Sequence, residues 1–204
     1  MRAILCAVTG LLTACSAGEP MTTVPAAAYT QPVLSASAGP QAENEWLAIV
    51  EIPAGTREKW QLSKQQPELL EWEFANQQPR RIAYLGYPAN YGALPQTLAA
   101  KADGGDGDPL DVLILGDPLP RGSQLPVRII GRMRMLDNGE QDDKYLAVLS
   151  TEETFGHLRS VTQLQREFPG VTAILQLWFS HYKGTAGQVS EISFDDKVPS
   201  DDTA

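Results

Sequence analysis

Three aspartates, Asp106, Asp108 and Asp111, lie within six residues, directly before a short apolar run at 112–115. The run is bounded by Asp-rich and Gly-Asp-Pro turn signals and therefore predicts a buried strand. Carboxylates this dense repel one another and raise their own pKa values unless hard cations, which prefer oxygen ligands, lie among them. An acidic loop in solvent is the alternative. An EF-hand is excluded, because Asp111 occupies the position where that loop requires glycine.

Two other stretches carry acids of the same kind. A second cluster follows the longest predicted strand, directly before Lys144, and consists of Asp137, Glu140, Asp142 and Asp143. A hairpin tip in solvent explains this cluster equally well. Glu51 lies inside a predicted strand on its apolar face, where a carboxylate needs a metal ion, a lysine or an arginine as its partner.

Alternating apolar residues and turn signals predict a chain built mostly of strands. These are expected at 46–52, 59–62, 69–74, 112–115, 127–136 and 145–149, with 80–85 as a further candidate. Residues 87–92 predict a turn-rich loop, and the dipeptide Asn138-Gly139 predicts a hairpin turn. Within the longest strand, Ile129, Met133 and Met135 are expected to share one face.

Helical periodicity appears late in the chain. Residues 161–168 predict a short amphipathic helix, and an apolar stripe predicts a second helix from 171 to 182. Together with the strands, these helices predict an α+β domain, in which a small, mostly antiparallel β-barrel carries helices on its outside.

The charge balance limits the partners of this domain. The chain has 16 basic and 25 acidic residues, for a formal net charge of −9. Nucleic acid is therefore a poor partner, because phosphate backbones require a basic face. An anionic small molecule could bind only where metal ions screen the acids. Side chains able to hold phosphate oxygens are Lys59, Arg80, Arg81, Tyr91, Tyr182 and Lys183.

Six segments in order resemble the family I inorganic pyrophosphatases: EIPAG at 51–55, Lys59, YPANYG at 87–92, GDGDPLDVL at 105–113, the stretch 137–144, and HYK at 181–183. The order and spacing hold from about residue 46 to 184. The resemblance implies a five-stranded OB-like barrel with flanking helices, and hydrolysis of pyrophosphate to two phosphates. It also implies a homo-oligomer and several Mg²⁺ ions, with Mn²⁺ or Zn²⁺ as substitutes.

The same resemblance implies a role for each matched residue. Asp108 would be the general base acting on a metal-activated water. The implied metal ligands are Asp106, Asp111, Asp137 and Asp142, with Glu51 near the ions. The residues implied to hold substrate oxygens are Lys59, Arg80 or Arg81, Tyr91, Lys144, Tyr182 and Lys183. Of the two arginines, Arg80 is favoured by its distance from Tyr87.

Two positions depart from the family pattern. Gln61 stands where the family usually has glutamate, and Asn138 replaces a common acid. These departures favour an alternative, in which the chain is a catalytically silent surface protein that binds metal or phosphate. Neither departure touches Asp106, Asp108 or Asp111, so we expect activity to survive with an altered metal affinity.

The N-terminal sequence predicts a targeting signal rather than a folded element. An apolar run at 3–12 follows Arg2 and is too short to span a bilayer as a helix, which is typical of a signal-peptide core. It ends in LTAC at 12–15, which resembles a bacterial lipobox and implies that Cys15 is lipidated. A plain secretory signal or a chance apolar start is the alternative. The lipobox implies a periplasm-facing lipoprotein held by its lipid anchor only; without it, the resemblance implies a cytoplasmic protein.

We expect four parts along the chain. A signal segment occupies 1–15, and a flexible tether rich in Ala, Ser, Pro and Thr occupies 16–45. The pyrophosphatase-like domain is expected at 46–184 and a polar tail at 185–204. Both cysteines, Cys6 and Cys15, lie in the signal segment, so the domain contains no disulfide.

Overall fold

The computed structural model describes residues 29–33, 40–42, 45–95, 97–99 and 107–199. Asp106 and the predicted lipobox at Cys15 lie outside the described residues. The strands are β1 (Thr30–Pro32), β2 (Pro40–Ala42), β3 (Glu45–Ile52), β4 (Trp60–Leu62), β5 (Leu69–Trp72), β6 (Phe74–Ala75), β7 (Gln78–Pro79), β8 (Asn90–Leu94), β9 (Leu110–Leu115), β10 (Gln124–Asp137), β11 (Glu140–Gln141), β12 (Lys144–Val148) and β13 (Val189–Asp195). The helices are α1 (Val161–Glu167) and α2 (Val171–His181).

The largest sheet is mixed, and five of its strands pair in a closed ring. The antiparallel pairings are β3 with β8, β8 with β9, β12 with β10, and β10 with β3. The ring is completed by β9 and β12, which run parallel. A separate three-stranded sheet, in the order β1-β5-β4, lies beside the ring, and β3 contacts β4. The described residues thus form a mixed sheet with few helices, in agreement with the predicted α+β class.

Alternation along the strands separates two apolar clusters. Val112 and Ile114 of β9 pack in an inner cluster together with Val50 of β3. Leu113 and Leu115 point the other way and pack in an outer cluster, which the helices cover. Helix α1 begins at Ser160, whose hydroxyl accepts a hydrogen bond from the backbone N–H of Gln163 at 3.0 Å. Helix α2 buries Leu175, Trp178 and Phe179.

A β-bulge at Gly131 reverses the faces of β10. Ile129 pairs with Ala147, whereas Gly131 pairs with Leu146, so the strand gains one residue relative to its partner. As a result, Ile129 packs in the inner cluster, but Met133 and Met135 pack in the outer one. The expectation that all three share one face was therefore wrong, because a shift by one residue exchanges the two faces of a strand.

The predicted loop at 87–92 ends inside a strand. Asn90, the first residue of β8, is fully buried. Its side-chain oxygen accepts hydrogen bonds from the N–H groups of Ala54 and Leu119, and its amide donates to the carbonyls of Ile114 and Asp117. Each donor and acceptor of this amide is satisfied, so a residue that is typical of turns is held in the sheet.

The candidate strand at 80–85 does not form. Arg81 makes only an isolated bridge with Glu58. The backbone N–H groups on either side of it donate to different segments: Arg80 donates to the Glu73 carbonyl and Ile82 donates to the Arg57 carbonyl. The strand that does form here is β7, which pairs with β6.

Parts of the predicted tether and tail belong to sheets. β1 pairs with β5, and β2 pairs with β3, although β1 and β2 fall within the expected tether. β13 pairs with β10, although it falls within the expected tail. The apolar residues of these segments are few, but Val33 is buried and Ile192 and Phe194 pack against the outer cluster. These strands were not predicted because their composition is polar. An edge strand needs only a few apolar contacts on one face.

Gly131 offers a test of the bulge. A Cβ at this position would lie 2.4 Å from the Asp195 carbonyl oxygen and 2.6 Å from a Val161 methyl group, at a φ of +147°. We expect Gly131→Ala to lower the free energy of unfolding by about 3 kcal/mol or more, measured by urea denaturation. Gly139→Ala is the matched control, since its φ is +90° but nothing lies within 4 Å. It should cost only about 1–2 kcal/mol; equal losses would contradict the steric account.

Candidate active site

One cavity of about 690 Å³ opens on the outer face of the ring, between the end of α2 and the β4–β5 hairpin. The predicted site residues that the structure describes all line this cavity: Glu51, Lys59, Arg80, Tyr91, Asp108, Asp111, Asp137, Asp142, Lys144, Tyr182 and Lys183. The sequence prediction named two further residues, Asp106 and Cys15, which are outside the described part of the chain. The structure therefore brings together side chains that come from seven separate stretches of sequence.

Lys144 lies at the centre of the acidic side of the cavity. The parallel pairing of β9 and β12 places it directly beside Asp111. Its ammonium group is 2.5 Å from a carboxylate oxygen of Asp111 and also binds Asp142, while the residue is only 3% exposed. Burial opposes the charge of Lys144, but Asp111 and Asp142 outweigh burial and hold its pKa above the usual lysine value. Lys144 therefore remains charged and separates two acids that would otherwise repel each other.

Asp137 and Lys183 form a second ion pair in the cavity. Asp137 ends β10 and Lys183 follows α2, so this pair connects the sheet to the helix. Asn138 supports the pair, because its amide nitrogen donates to an Asp137 oxygen at 3.0 Å and its oxygen accepts from the N–H of Gln188. The hairpin turn predicted at this asparagine is confirmed, since Asn138 and Gly139 have φ values of 51° and 90°. The departure at Asn138 thus holds an acid in place.

Glu51 is satisfied by the backbone. The residue is 5% exposed, and its carboxyl oxygen accepts a hydrogen bond from the Leu62 N–H at 2.6 Å. Burial raises its pKa to about 7, although the Lys59 ammonium group opposes the shift. The partner expected for Glu51 from the sequence was a metal ion or a basic side chain, and the structure adds a backbone donor from β4.

Two tyrosines form the aromatic side of the cavity. The Lys59 nitrogen lies 4.7 Å from the centre of the Tyr91 ring. The Tyr182 ring stacks on Trp178 at a centroid distance of 4.7 Å. Burial raises the pKa values of both phenols. Each hydroxyl therefore keeps its proton at neutral pH and remains able to donate a hydrogen bond to an anion.

The two candidate arginines have different surroundings. Arg80 lines the cavity and is held by an ion pair with Glu73. Arg81 forms an ion pair with Glu58 at 2.8 Å, its side chain is 54% exposed, and it does not line this cavity. Glu73, the partner of Arg80, was not among the residues predicted from the sequence, although the hairpin pattern indicates it. A hairpin with its turn at residues 76–77 pairs 74 with 79, which places 73 opposite 80.

Asp108 lines the cavity beside Lys64, which lies in the loop between β4 and β5. One of its carboxylate oxygens is 2.7 Å from the ammonium group of Lys64, a residue that the sequence analysis did not single out. Gln61, the other departure from the family pattern, also lines the cavity, and its amide nitrogen lies 3.4 Å from a carboxylate oxygen of Glu71. An uncharged side chain thus stands on this wall where a glutamate would add one more negative charge.

The charge of the lining determines what the cavity can bind. Among the residues that the structure describes, six acidic and five basic side chains line it, so these residues offer no surplus positive charge for a multiply charged anion. Among the residues described, no group of three or more acids, histidines or cysteines is arranged to hold a metal ion, since lysines lie between the acids. The donor set nevertheless fits hard cations, because it offers only carboxylate oxygens.

Comparisons with known proteins agree on one family. A sequence model of the inorganic pyrophosphatases matches residues 48–204. The soluble inorganic pyrophosphatase PPA1 of Solanum tuberosum is 34% identical over 164 residues, which are 79% of this chain and 69% of the potato protein.

Two solved structures show the same similarity. The inorganic pyrophosphatase of Schistosoma japonicum has a TM-score of 0.72 at 29% identity, over 78% of this chain and 62% of that chain. The enzyme of Thermus thermophilus has a TM-score of 0.65 at 26% identity, over 81% of this chain and 90% of that chain. The chain thus spans less than two thirds of the Schistosoma protein but most of the Thermus protein.

Lys144 can be tested without any ligand. We expect Lys144→Met to lower the free energy of unfolding by about 3–5 kcal/mol in EDTA, because it leaves two partly buried carboxylates without their cation. Lys64→Met is the control, since this side chain is 67% exposed and its pair with Asp108 should contribute at most about 1 kcal/mol. Urea denaturation of both variants measures the difference. Similar losses in the two variants would show that Lys144 does not hold the acids together.

Proposed function

We propose that the chain, which belongs to the inorganic pyrophosphatase family, hydrolyses pyrophosphate with Mg²⁺ in the cavity described above. The observation that carries this proposal is the meeting of acids from three stretches with lysines, an arginine and tyrosines in one cavity. An acid cluster alone would bind cations, and a basic cluster alone would bind many anions. The combination suits an anion that arrives with divalent cations.

The residues proposed to hold Mg²⁺ are Asp106, Asp111, Asp137 and Asp142, with Glu51 beside them. Mn²⁺ or Zn²⁺ would serve as substitutes at the same oxygens. When bound, Mg²⁺ neutralises substrate charge and lowers the pKa of the attacking water. The described lining has nearly equal numbers of acidic and basic side chains, which do not offset the charge of pyrophosphate by themselves. This near-balance supports a requirement for divalent cations.

The cationic and phenolic side chains would hold the substrate oxygens. We propose this role for Lys59, Arg80, Tyr91, Lys144, Tyr182 and Lys183. Arg80 is preferred to Arg81 because Glu73 holds it against the cavity. Lys144 and Lys183 are paired with acids in the structure, and they would be available to phosphate oxygens if metal ions neutralised those acids. Arginine offers a planar fork to phosphate, whereas lysine acts as a point charge.

Asp108 is the proposed general base. Its carboxylate accepts a proton from the attacking water, whose oxygen forms a bond to one phosphorus. The bond from that phosphorus to the bridging oxygen breaks, and the bridging oxygen leaves with the second phosphate. Two phosphates result from one pyrophosphate and one water. No covalent intermediate is needed, because water is the nucleophile.

Two further features, a β-barrel and an oligomeric assembly, would accompany this function. We propose that the closed ring of β3, β8, β9, β12 and β10 is the five-stranded OB-like barrel that the resemblance implies. We also expect a homo-oligomer, as in the resemblance, which light scattering on the purified protein would measure directly.

The activity and its base can be tested together. Phosphate release from pyrophosphate should require Mg²⁺ and stop in EDTA. Asp108→Asn should lower kcat by about 10²–10⁴-fold, because a positioned proton acceptor is lost. Glu153→Gln, at an exposed site away from the cavity, is the control and should keep full activity. Full activity of Asp108→Asn would remove Asp108 as the base, and absence of release from the unmodified chain would support a silent metal- or phosphate-binding protein.

We also propose that Cys15 carries a lipid anchor and that the protein faces the periplasm. The support is the sequence pattern at 12–15, because these residues lie outside the described part. Within the described residues, no helix is long and apolar enough to cross a bilayer. Attachment by acyl chains at Cys15 would hold the domain at a membrane without such a helix.

Labelling distinguishes the anchor from its alternatives. In a bacterial host supplied with labelled palmitate, the full chain should incorporate label and Cys15→Ala should not. Cys6→Ala is the matched control and should incorporate as much label as the unmodified chain, because Cys6 lies within the apolar run of the signal. Equal labelling of Cys15→Ala and the unmodified chain would overturn the anchor.

A further inference from the structure

The N-terminal strand β1 forms part of the cavity region but lies outside the family match. The inorganic pyrophosphatase model begins at residue 48, whereas β1 and the following Val33 precede it. Val33 is 6% exposed and lines the same cavity as the proposed catalytic residues. A segment expected to be a tether therefore supplies one residue, Val33, to the lining of the site.

The β4–β5 hairpin carries part of the substrate side of this cavity. Lys59 directly precedes β4, Gln61 lies within it, and Lys64 lies in the loop that follows. A two-stranded hairpin is only marginally stable in water, whereas three strands with an apolar face form a stable sheet. β1 is the third strand, because it pairs with β5 from residue 30 opposite Glu71 to residue 32 opposite Leu69.

The residues that flank β1, Tyr29 and Val33, make contacts near opposite ends of β5. The ring of Tyr29 packs edge-on against Phe74 and Trp72, at centroid distances of 4.9 Å and 6.1 Å. At the other end, Val33 packs in a small apolar cluster that also contains Ile49, Trp60 and Leu70. The N–H of Val33 donates to the carbonyl of Glu68 at 2.7 Å. These contacts hold β5 from its first residue to its last.

Gln31 connects the same strand to the acid side of the site. Its side-chain amide donates to the carbonyl of Arg121 at 2.7 Å. The Arg121 guanidinium lies 4.4 Å from the centre of a Trp60 ring, and its Nε donates to the Glu51 carbonyl at 3.1 Å. Arg121 thus contacts both the hairpin and the backbone of a proposed metal-binding residue. Gln31 fixes the backbone of this arginine through its hydrogen bond to the Arg121 carbonyl.

From these contacts we propose that Gln31 and Val33 are positioning residues for substrate binding. They fix the β4–β5 hairpin against the ring, so that Lys59 stays directed at the substrate. The proposal rests on the proposed function, because it assigns these residues to the same pyrophosphate site. Their closest proposed functional group on the hairpin is Lys59, which binds substrate, so their loss should weaken binding more than it slows the chemical step.

The test compares variants of the full chain. In the double variant Gln31→Ala/Val33→Ala, KM for pyrophosphate should rise at least about fivefold while kcat changes less than about twofold. Hydrogen exchange, measured without substrate or metal, should become at least about tenfold faster at the Ser63 and Glu73 amides, which bond to Leu69 and Lys59. Exchange in β9 should stay unchanged, which shows that the ring remains folded.

Two further variants serve as controls. Thr30→Ala alters a side chain of the same strand that is exposed, and it should change neither KM nor exchange. Val33→Ile keeps the apolar contact and should keep KM. Unchanged hairpin exchange in the double variant would overturn the proposal, as would faster exchange with an unchanged KM. If the unmodified chain releases no phosphate, the proposed function fails, whereas the exchange result still reports whether Gln31 and Val33 hold the hairpin.

Discussion

The buried ion group of Lys144, Asp111 and Asp142 is the interaction on which the rest of the site depends. Carboxylates repel one another at close range, and burial strengthens that repulsion by lowering the effective dielectric constant. The parallel pairing of β9 and β12 places the lysine beside Asp111, and the turn before β12 brings Asp142 to the same ammonium. The acids can therefore share a cavity because a cation of the chain itself lies between them.

The outer face of the ring provides rigid support for this charge group. Trp178 of α2 contacts the rings of Tyr87 and Tyr182, and its indole N–H donates to the Leu85 carbonyl at 3.1 Å. The helix end that carries Lys183 is thereby fixed to the loop before β8. The acids come from the sheet and several of the cations come from the hairpin and the helix, so the cavity depends on how these three parts pack together.

The N-terminal region carries both the proposed lipid anchor and a segment that packs beside the proposed site. Thirteen residues separate Cys15 from Tyr29, the first residue of the segment that packs on the hairpin. Fully extended, the fourteen steps from Cys15 to Tyr29 span at most about 50 Å. A lipid at Cys15 would therefore keep the hairpin side of the cavity within that distance of a membrane surface. The same segment that carries the proposed anchor also contributes Val33 to the lining of the proposed site.

The sequence by itself predicted which acidic, basic and phenolic side chains would lie together. The acids of 106–111 and 137–142 occur in short, dense runs, and the Asn138-Gly139 turn depends on local backbone geometry. Local patterns of this kind remain readable without a fold, since the interacting residues are close in sequence. The described members of the predicted set accordingly line one cavity.

The tertiary structure alone decided how these side chains are paired and which other segments support them. Lys144 lies between two acids, Arg80 faces the cavity rather than Arg81, and β1 and β13 join sheets despite their polar composition. The bulge at Gly131 exchanged the faces of β10 in a way that simple alternation does not reveal. Each of these outcomes depends on strand register between residues far apart in sequence, and register is set by packing of the whole ring rather than by any local pattern.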